Sequence, residues 1–331
     1  MTRIAVVGAG AWGTALANLL AHGGHDVVLW AREEDVVTSV NERHTNHRFL
    51  EGVALAPSLR ATDDLAAAVA GAACVTYVPP SHVLRTVLRA HADAVPGDAV
   101  VVVASKGIER DSLAVMTDVV EAELPGRVVA ALSGPSFAIE VAAGQPTAVV
   151  AASTNLSAAQ RVQQLFSMER FRVYTHDDVL GVELGGALKN VMAVATGIAE
   201  GVGLGFNSRA ALITRGLAEM TRLGVALGAQ PATFAGLAGM GDLVLTCTGS
   251  LSRNRSLGME VGQGRPLSDI LASRETVAEG VTTAESALAL SRRAGVEMPI
   301  VAAVNRILFD GQAPARAIEA LMSRELRTEQ D

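Results

Sequence analysis

A glycine motif near the start of the chain limits the possible folds more than any other feature of the sequence. Gly8-Ala9-Gly10-Ala11-Trp12-Gly13 follows a short apolar run at 3–7 and leads into a helical run at 14–21. In this setting Gly8 permits a tight turn, Gly10 lets the backbone approach a ligand, and Gly13 lets the helix pack against the sheet. Backbone amides at the helix start can then face a phosphate. The motif predicts a domain that binds a dinucleotide through its pyrophosphate.

Short apolar strands alternate with helical stretches through the first half of the chain. Buried strands separated by helices indicate a parallel, doubly wound sheet, which makes this half an α/β domain. The sequence predicts these strands at 3–7, 26–30, 73–78, 99–104, 127–132, 147–151 and 171–174.

The strand pattern stops near Asp177, and long segments rich in Ala, Leu and Met take over. Their helical spacing predicts helices at 182–201, 208–227, 282–293 and 313–327. We therefore predict an α/β domain over 1–178, an all-helical domain over 179–325 and a charged tail over 326–331. Ligands of such sheets bind at the carboxyl ends of the strands, which here face the second domain.

Composition narrows the class of protein. Hydrophobic residues make up 50% of the chain and charged residues 18%, which is typical of a globular protein. A net charge of -7 without a long basic run argues against a nucleic-acid-binding surface. The absence of a signal-like leader and of an uninterrupted apolar span predicts a cytoplasmic protein without membrane insertion. Cys74 and Cys247 suit a reducing compartment, and their separation predicts no metal site.

The end of the second predicted strand leaves the choice of dinucleotide open. Arg32 stands where an arginine accommodates the 2'-phosphate of NADP, and the next residue, Glu33, is the kind of acid that binds the ribose of NAD. Both NAD and NADP therefore remain possible. Trp12, at the start of the first helix, could fill the core, but its place beside the expected pyrophosphate favours contact with the cofactor.

Two lysines occupy positions suited to chemistry. Lys106 follows the fourth long strand, at the edge where a nicotinamide and a substrate would meet. Lys189 shares a helical face with Gly185, Ala193 and Thr196, whose small side chains allow close approach. Either lysine could instead lie at the surface. Oxidising an alcohol needs a proton acceptor, and a lysine serves only as the neutral amine, so burial or nearby cations must lower its pKa from about 10.4.

A polar segment, Ser252-Arg253-Asn254-Arg255, interrupts the apolar second half. Its guanidinium groups suit a phosphate, and Asp242 nearby in sequence offers an acceptor for a hydroxyl. Taken alone, the segment could equally be a solvated loop. Together with the glycine motif and the two lysines, it predicts a binding site for a phosphorylated alcohol. No role follows from the sequence for Arg255.

Motifs that span nearly the whole chain resemble, in their order and residues, one family, the bacterial NAD(P)-dependent glycerol-3-phosphate dehydrogenases. The motifs are Gly8-Ala9-Gly10-Ala11-Trp12-Gly13, Pro80-Ser81-His82, Ser105-Lys106-Gly107-Ile108-Glu109, Gly134-Pro135-Ser136-Phe137-Ala138, Leu188-Lys189-Asn190, Gly241-Asp242-Leu243, Ser252-Arg253-Asn254-Arg255, Glu279-Gly280 and Met298-Pro299-Ile300.

The resemblance implies a Rossmann domain followed by a helical domain of the 6-phosphogluconate dehydrogenase C-terminal type. It implies reversible reduction of dihydroxyacetone phosphate to sn-glycerol 3-phosphate for phospholipid synthesis, with Lys189 as proton acceptor or donor, and a homodimer. The implied substrate ligands are Lys106, Gly134, Ser136, Lys189, Asp242, Ser252, Arg253 and Asn254. The implied cofactor ligands are Gly8, Gly10, Ala11, Trp12, Gly13, Arg32, Lys106, Ala138, Arg253, Val277 and Glu279.

Three positions depart from the commonest family pattern. Ala11 stands where serine is frequent, Pro79 precedes Pro80, and position 32 varies among members. Two other functions also fit the layout. One is a dehydrogenase of β-hydroxyacids or of a 6-phosphogluconate-type sugar acid, and the other is a non-catalytic NAD(P) sensor. The Ser252–Arg255 segment with Asp242 argues against the first, and the presence of both lysines argues against the second.

Overall fold

The computed structural model describes residues 1–274, 278–326 and 328. Its first half is an eight-stranded sheet with the order β3-β2-β1-β4-β5-β6-β7-β8. The doubly wound α/β class predicted from the sequence is confirmed. The strands are β1 Arg3–Val7, β2 Asp26–Trp30, β3 Arg60–Thr62, β4 Cys74–Tyr77, β5 Val100–Val103, β6 Val128–Ser133, β7 Thr147–Ala152 and β8 Phe171–His176.

Two features of the sheet differ from the expectation. The three-residue strand β3 forms one edge and is too short to give a periodic pattern. All other neighbours are parallel, but β6 and β7 run antiparallel. The connecting helix Ala138–Ala142 has five residues, or about 7.5 Å of helix, against about 20 Å for a six-residue strand. Helix length alone does not explain the reversal, because the equally short helix Leu65–Val69 lies between β3 and β4, which run parallel.

Helices cover both faces of the sheet, and two apolar clusters lie beneath them. The helices of this half are α1 Ala11–His22, α2 Glu34–Thr38, α3 Leu65–Val69, α4 Ser81–Arg89, α5 Met116–Glu123, α6 Ala138–Ala142 and α7 Leu156–Phe166. A π-helical turn, Ser39–Arg43, and a 3-10 turn, Ala92–Ala94, complete it.

The second half is helical, as predicted. Its helices are α8 Val179–Gly201, α9 Phe206–Ala226, α10 Pro231–Phe234, α11 Asp242–Thr248, α12 Arg253–Gly262, α13 Leu267–Ala272, α14 Glu279–Arg293, α15 Pro299–Phe309 and α16 Pro314–Met322, with a π-helical turn at Leu237–Gly241. Helix α15 and the short helices between α9 and α14 were not among the predicted segments.

Helix α8 is the centre of this half. It contacts α9, α11, α12, α14 and α15. By length and apolar composition α8 could cross a membrane, but 89% of its most apolar window is buried inside the protein. Its apolar character is therefore explained by its central position in a helical core.

The two halves meet along α8. Val182 packs against Ala131 of β6 and Val150 of β7 in a small apolar cluster. Beside it, Glu183 accepts a hydrogen bond from the backbone N–H of Thr117 at the start of α5, 3.0 Å away. Burial raises the pKa of Glu183 to about 8. The sheet and the helical half are thus joined by both apolar and polar contacts.

Helices α8 and α12 cross with almost no space between their backbones. A Cβ added at Gly258 would lie 2.2 Å from the carbonyl oxygen of Val194, and one at Gly197 would lie 2.1 Å from that of Arg255. Only glycines permit this approach, which brings the start of α12 against α8.

Replacing Gly258 with alanine should force α12 away from α8. We expect the free energy of unfolding to fall by about 3 kcal/mol, since overpacked cores typically lose 1–3 kcal/mol. Urea unfolding followed by circular dichroism measures this. Gly97→Ala is the control because a Cβ there would meet open space. Equal stability of the two variants would contradict the close crossing.

Candidate active site

Three charged side chains from both halves meet beyond the carboxyl ends of the central strands. Lys106 lies three residues past β5, Lys189 is on α8, and Asp242 is the first residue of α11. The Lys106 Nζ lies 2.6 Å from Asp242 Oδ2, and Lys189 Nζ bonds to Asp242 Oδ1. We call these three residues the Lys–Asp–Lys group. A single carboxylate therefore links the sheet to two helices of the second half.

Neighbouring groups fix both ammonium groups. Lys106 also donates to the Gly134 carbonyl oxygen at 3.1 Å, directly after β6. Lys189 also donates to Thr246 Oγ1 at 2.9 Å. The Thr246 hydroxyl in turn donates to the backbone oxygen of Asp242, one helical turn earlier, at 2.7 Å. Thr246 was missed in the sequence, where its spacing of four residues from Asp242 was the available signal.

The electrostatics of the Lys–Asp–Lys group suit proton transfer. Burial lowers the pKa of Lys189 to about 8; the nearby Lys106 ammonium also lowers it, and the Asp242 carboxylate opposes both. Burial also acts to raise the pKa of Asp242, but the two ammonium groups outweigh it and hold that pKa below its ordinary value. Lys189 can therefore exist as ammonium or amine near neutral pH, while Asp242 stays ionised.

The small residues beside Lys189 allow other parts of the protein, and not an open cavity, to lie against α8. A Cβ at Gly185 would lie 2.6 Å from the Ala238 carbonyl oxygen, so the π-helical turn fills that side. A Cβ at Gly186 would lie 2.6 Å from Ser133 Oγ and 3.5 Å from Lys106 Cδ. The glycine at 186 is what allows the Lys106 side chain to reach the buried face of α8.

The Ser252–Arg255 segment is the start of a helix and not a loop. Ser252 caps α12, its Oγ accepting from the backbone N–H of Arg255 at 3.2 Å. Asn254 is buried and joins α12 to two helices: its Nδ2 donates to Asn190 Oδ1 at 3.0 Å, and its Oδ1 accepts from Gly280 N at 2.9 Å. Both predicted substrate ligands thus also hold α12 in place, next to Lys189.

The two arginines of the segment differ sharply. Arg253, the first residue of α12, is exposed, and within the described part of the chain its guanidinium makes no hydrogen bond or ion pair. Arg255 is mostly buried and pairs with Glu200. Of the two, Arg253 is therefore the one available to an anionic ligand.

The glycine motif has the geometry that a pyrophosphate requires. Gly8 has a φ of +114°, and a Cβ on Gly13 would lie 1.8 Å from the Gly8 carbonyl oxygen. A Cβ on Gly10 would meet open space, so the helix start is accessible there. Helix α1 begins at Ala11 without a side-chain cap, leaving its first amides free. Trp12 Nε1 is buried and has no hydrogen-bond partner among the described residues.

The remaining predicted cofactor residues lie on several separate elements. Arg32, two residues past β2, is highly exposed and bonds to Glu33 Oε1 through Nη2 at 2.9 Å. Ala138 begins α6. Glu279, at the start of α14, accepts from Ser81 Oγ at 2.7 Å, and burial raises its pKa. Val277 lies outside the described residues.

The structure brings most of the predicted substrate residues together. Ser136 Oγ donates to the same Gly134 oxygen that Lys106 contacts, at 3.0 Å. The set Lys106, Gly134, Ser136, Lys189, Asp242 and Asn254 is therefore continuous through hydrogen bonds and the Asn190 contact. No group of three or more His, Cys, Asp or Glu side chains that could hold a metal ion occurs in residues 1–274, 278–326 and 328.

Comparison with known proteins gives a consistent result over the whole chain. A family model for the N-terminus of NAD-dependent glycerol-3-phosphate dehydrogenase matches residues 3–159, and the model for its C-terminus matches 178–319. Proteins named glycerol-3-phosphate dehydrogenase (NAD(P)+) from Citrifermentans bemidjiense and Geobacter sulfurreducens are 54% and 56% identical over 330 residues, which cover 99% of this chain and 98% of each relative.

A solved structure agrees with these matches. The crystal structure of glycerol-3-phosphate dehydrogenase from Coxiella burnetii is 40% identical and has a TM-score of 0.94. The match covers 98% of this chain and 99% of that chain.

The Asp242 carboxylate should be essential for stability as well as for geometry. Asp242→Asn leaves two ammonium groups without their counter-ion, and we expect the free energy of unfolding at pH 7 to fall by about 3 kcal/mol. Urea unfolding measures this loss. The exposed Asp177 provides the control, because Asp177→Asn removes the same charge at the surface. A loss at position 242 as small as that at 177 would contradict the role of the carboxylate.

Proposed function

This chain belongs to the NAD-dependent glycerol-3-phosphate dehydrogenase family, and we propose that the Lys–Asp–Lys group is its catalytic centre. The protein is an oxidoreductase that uses NAD or NADP and interconverts dihydroxyacetone phosphate and sn-glycerol 3-phosphate. The observation that most supports the proposed centre is a buried lysine with a pKa of about 8, in contact with a carboxylate at the carboxyl end of the sheet.

Lys189 is the acid and base of the reaction. When bound, the nicotinamide supplies hydride to the carbonyl carbon or takes it from the alcohol carbon. During reduction the Lys189 ammonium donates a proton to the carbonyl oxygen, and during oxidation the neutral amine accepts the hydroxyl proton. Asp242 and Thr246 hold Nζ in place, and Asp242 stabilises the ammonium form. Lys106 contacts both substrate and cofactor and supplies positive charge beside the developing alkoxide.

The substrate phosphate binds at the start of α12. Arg253 offers an exposed guanidinium without a described partner, suited to a bidentate contact with phosphate oxygens. Gly134 and Ser136 line the facing wall from the sheet, and Ser252 and Asn254 line the pocket on the helical side. The carboxylate of Asp242 remains close enough to both lysines to orient the substrate hydroxyl between them.

The dinucleotide binds along the glycine motif. Gly8, Gly10 and Gly13 allow the close turn, the amides of Ala11 and Trp12 face the pyrophosphate, and the unpartnered Trp12 Nε1 is free to donate to the cofactor. The further cofactor residues in this proposal are Arg32, Lys106, Ala138, Arg253, Val277 and Glu279.

The setting of the enzyme is also a proposal. We infer a cytoplasmic homodimer whose product supplies the backbone of glycerophospholipids. The buried free thiols of Cys74 and Cys247 support a reducing compartment. The domain division at 178 and 179 is supported by the positions of β8 and α8, which end and begin beside it.

The two other functions considered from the sequence are less well supported. Relatives more than half identical over almost the full chain are named for glycerol-3-phosphate, and not for a hydroxyacid. A non-catalytic sensor would have no need of the buried Lys–Asp–Lys group.

The reaction and its base are tested together. Purified protein should oxidise NADH or NADPH with dihydroxyacetone phosphate and not with oxoacids. For reduction, kcat/KM should be constant at low pH and fall above about pH 8, since the free enzyme then loses the Lys189 proton. For oxidation of sn-glycerol 3-phosphate, it should rise through the same pH. Lys189→Ala should lower kcat at least about a hundredfold and leave cofactor binding unchanged.

Three results would refute parts of this proposal. Activity with oxoacids alone would rule out the substrate assignment. Near-normal turnover in Lys189→Ala would remove Lys189 from its role. A pH profile with the same inflection in a slow Lys189→Ala enzyme would assign the titration to another group.

Glu33 should set the preference between the two dinucleotides. Its carboxylate neutralises Arg32, so the guanidinium is engaged where a 2'-phosphate would bind. Glu33→Gln should therefore raise the ratio of kcat/KM for NADPH over NADH about tenfold, and Arg32→Ala should lower it. The neighbouring exposed Glu34 gives the control, Glu34→Gln, with a change below about twofold. An unchanged ratio of kcat/KM for NADPH over NADH in Glu33→Gln would show that Glu33 does not determine cofactor preference.

A further inference from the structure

Arg255 is the member of the Ser252–Arg255 segment that the proposed reaction does not use. Its side chain is only 13% exposed. Its Nη1 donates to Glu200 Oε2 at 2.8 Å, and its Nε donates to the Gly249 carbonyl oxygen at 3.3 Å. Its Nη1 also lies 3.9 Å from Met259 Sδ of the same helix. The described contacts of the side chain are thus all with protein groups, on the end of α8, on the loop before α12 and on α12 itself.

Glu200 neutralises two arginines at once. The same Oε2 forms a second ion pair with Arg209 Nη2 of α9, 2.9 Å away. Glu200 lies in the last turn of α8, where cations also interact favourably with the free carbonyls of the helix end. Arg255 is therefore held by charge on one side and by a carbonyl on the other.

The backbone of Arg255 is fixed as firmly as its side chain. A Cβ at Gly197 would lie 2.1 Å from the Arg255 carbonyl oxygen, so α8 and α12 touch at this residue. Its backbone N–H donates to the Ser252 side chain that caps α12. The first turn of α12, with Arg253 as its first residue, is thus in direct contact with α8 at position 255, where the Arg255 side chain adds its bonds to Glu200 and Gly249.

The Gly249 contact extends this influence to the opposite wall of the pocket. A Cβ on Gly249 would lie 2.6 Å from Phe137 Cε2, so the glycine rests against that ring. Phe137 directly follows Ser136. By holding the Gly249 carbonyl, Arg255 connects the helix start that carries Arg253 to the turn that carries Ser136.

We propose that Arg255 is a positioning residue for the substrate phosphate, acting through Glu200 and Gly249 and not as a ligand. The inference rests on the proposed function, because it assumes that Arg253 and Ser136 bind the substrate and that Arg255 positions them. The Lys–Asp–Lys group has its own hydrogen bonds. Loss of Arg255 therefore weakens binding of dihydroxyacetone phosphate most, leaves the proton-transfer step intact, and affects the dinucleotide only through its contact with Arg253.

The alternative is that Arg255 contacts the phosphate directly. The two roles predict opposite effects of Glu200→Gln. A ligand arginine released from its carboxylate would bind phosphate more tightly, so KM for dihydroxyacetone phosphate would fall. A positioning arginine that loses its anchor would let the helix start move, so KM would rise.

The experiment measures kcat, KM for dihydroxyacetone phosphate and KM for NADH in four variants. Arg255→Met and Glu200→Gln should each raise KM for dihydroxyacetone phosphate at least about tenfold, with kcat within about twofold and a clearly smaller rise in KM for NADH, which only Arg253 of the positioned groups contacts. Arg255→Lys keeps a positive charge beside Glu200 but loses the forked guanidinium group. Its KM for dihydroxyacetone phosphate should therefore lie between that of the wild type and that of Arg255→Met. Arg265→Met is the matched control, since Arg265 forms an ion pair with Glu260 at the opposite end of α12.

Each outcome decides the inference. A lower KM in Glu200→Gln makes Arg255 a ligand, and an unchanged KM in Arg255→Met removes any role; both overturn it. A fall in kcat matched by equal rises in both KM values, together with a lowered Tm, would also overturn the inference, because it would show general destabilisation. If Arg255→Met does not fold, Arg255→Lys and Glu200→Gln still show whether KM for dihydroxyacetone phosphate rises or falls. Wild-type protein inactive on dihydroxyacetone phosphate would refute the proposed function instead.

Discussion

The contact of one carboxylate with two lysines is the constraint on which the site depends. Asp242 is almost fully buried, and it is stable there as an anion because Lys106 and Lys189 approach it from different halves of the chain. Neither lysine would remain at its position without it, since an unpaired buried ammonium loses several kcal/mol of solvation. The relative position of the sheet and of α8 is therefore coupled to the protonation chemistry of Lys189.

The helical half is built so that this contact can form. Helix α8 carries Lys189 at its middle and is surrounded by other helices, so it can present a buried charge to Asp242 at the start of α11. Glycines on α8 let neighbouring backbones come closer than any side chain would allow. Close packing brings α12 against α8, and Asn254 then reaches Asn190, the residue next to Lys189. Packing of small residues thus sets the distance between the acid–base group and the expected phosphate site.

The sequence predicted the class of fold and the family because both depend on local patterns. The strand–turn–helix around Gly8 and the change of period near Asp177 are visible in short windows. The predicted fold class and the predicted family are both confirmed. The antiparallel β7 was not predictable in this way, because the apolar pattern of a strand does not indicate its direction in the sheet. The edge strand β3 was missed because three residues carry no periodicity.

The details of the site were harder to predict because they depend on distant partners. The sequence could not reveal that Arg255 faces Glu200, 55 residues earlier, or that Asn254 bonds to Asn190. Thr246 was accessible in principle, since it lies one helical turn after Asp242. The sequence predicted that burial or nearby cations lower the pKa of Lys189, and in the structure burial is the largest cause, with Lys106 second among the lowering effects.

The Lys–Asp–Lys group carries more positive than negative charge when both of its lysines are protonated. Two ammonium groups share one carboxylate in the Lys–Asp–Lys group, and the Arg253 guanidinium adds a further positive charge nearby without a described partner. Arg255, by contrast, already shares Glu200 with Arg209. In the proposed reaction the phosphate supplies the missing negative charge, which favours the ammonium form of Lys189 over the amine. Substrate binding therefore favours the protonated form of Lys189, which reduction requires. Because Glu200 already pairs with Arg255, binding of the phosphate falls to Arg253.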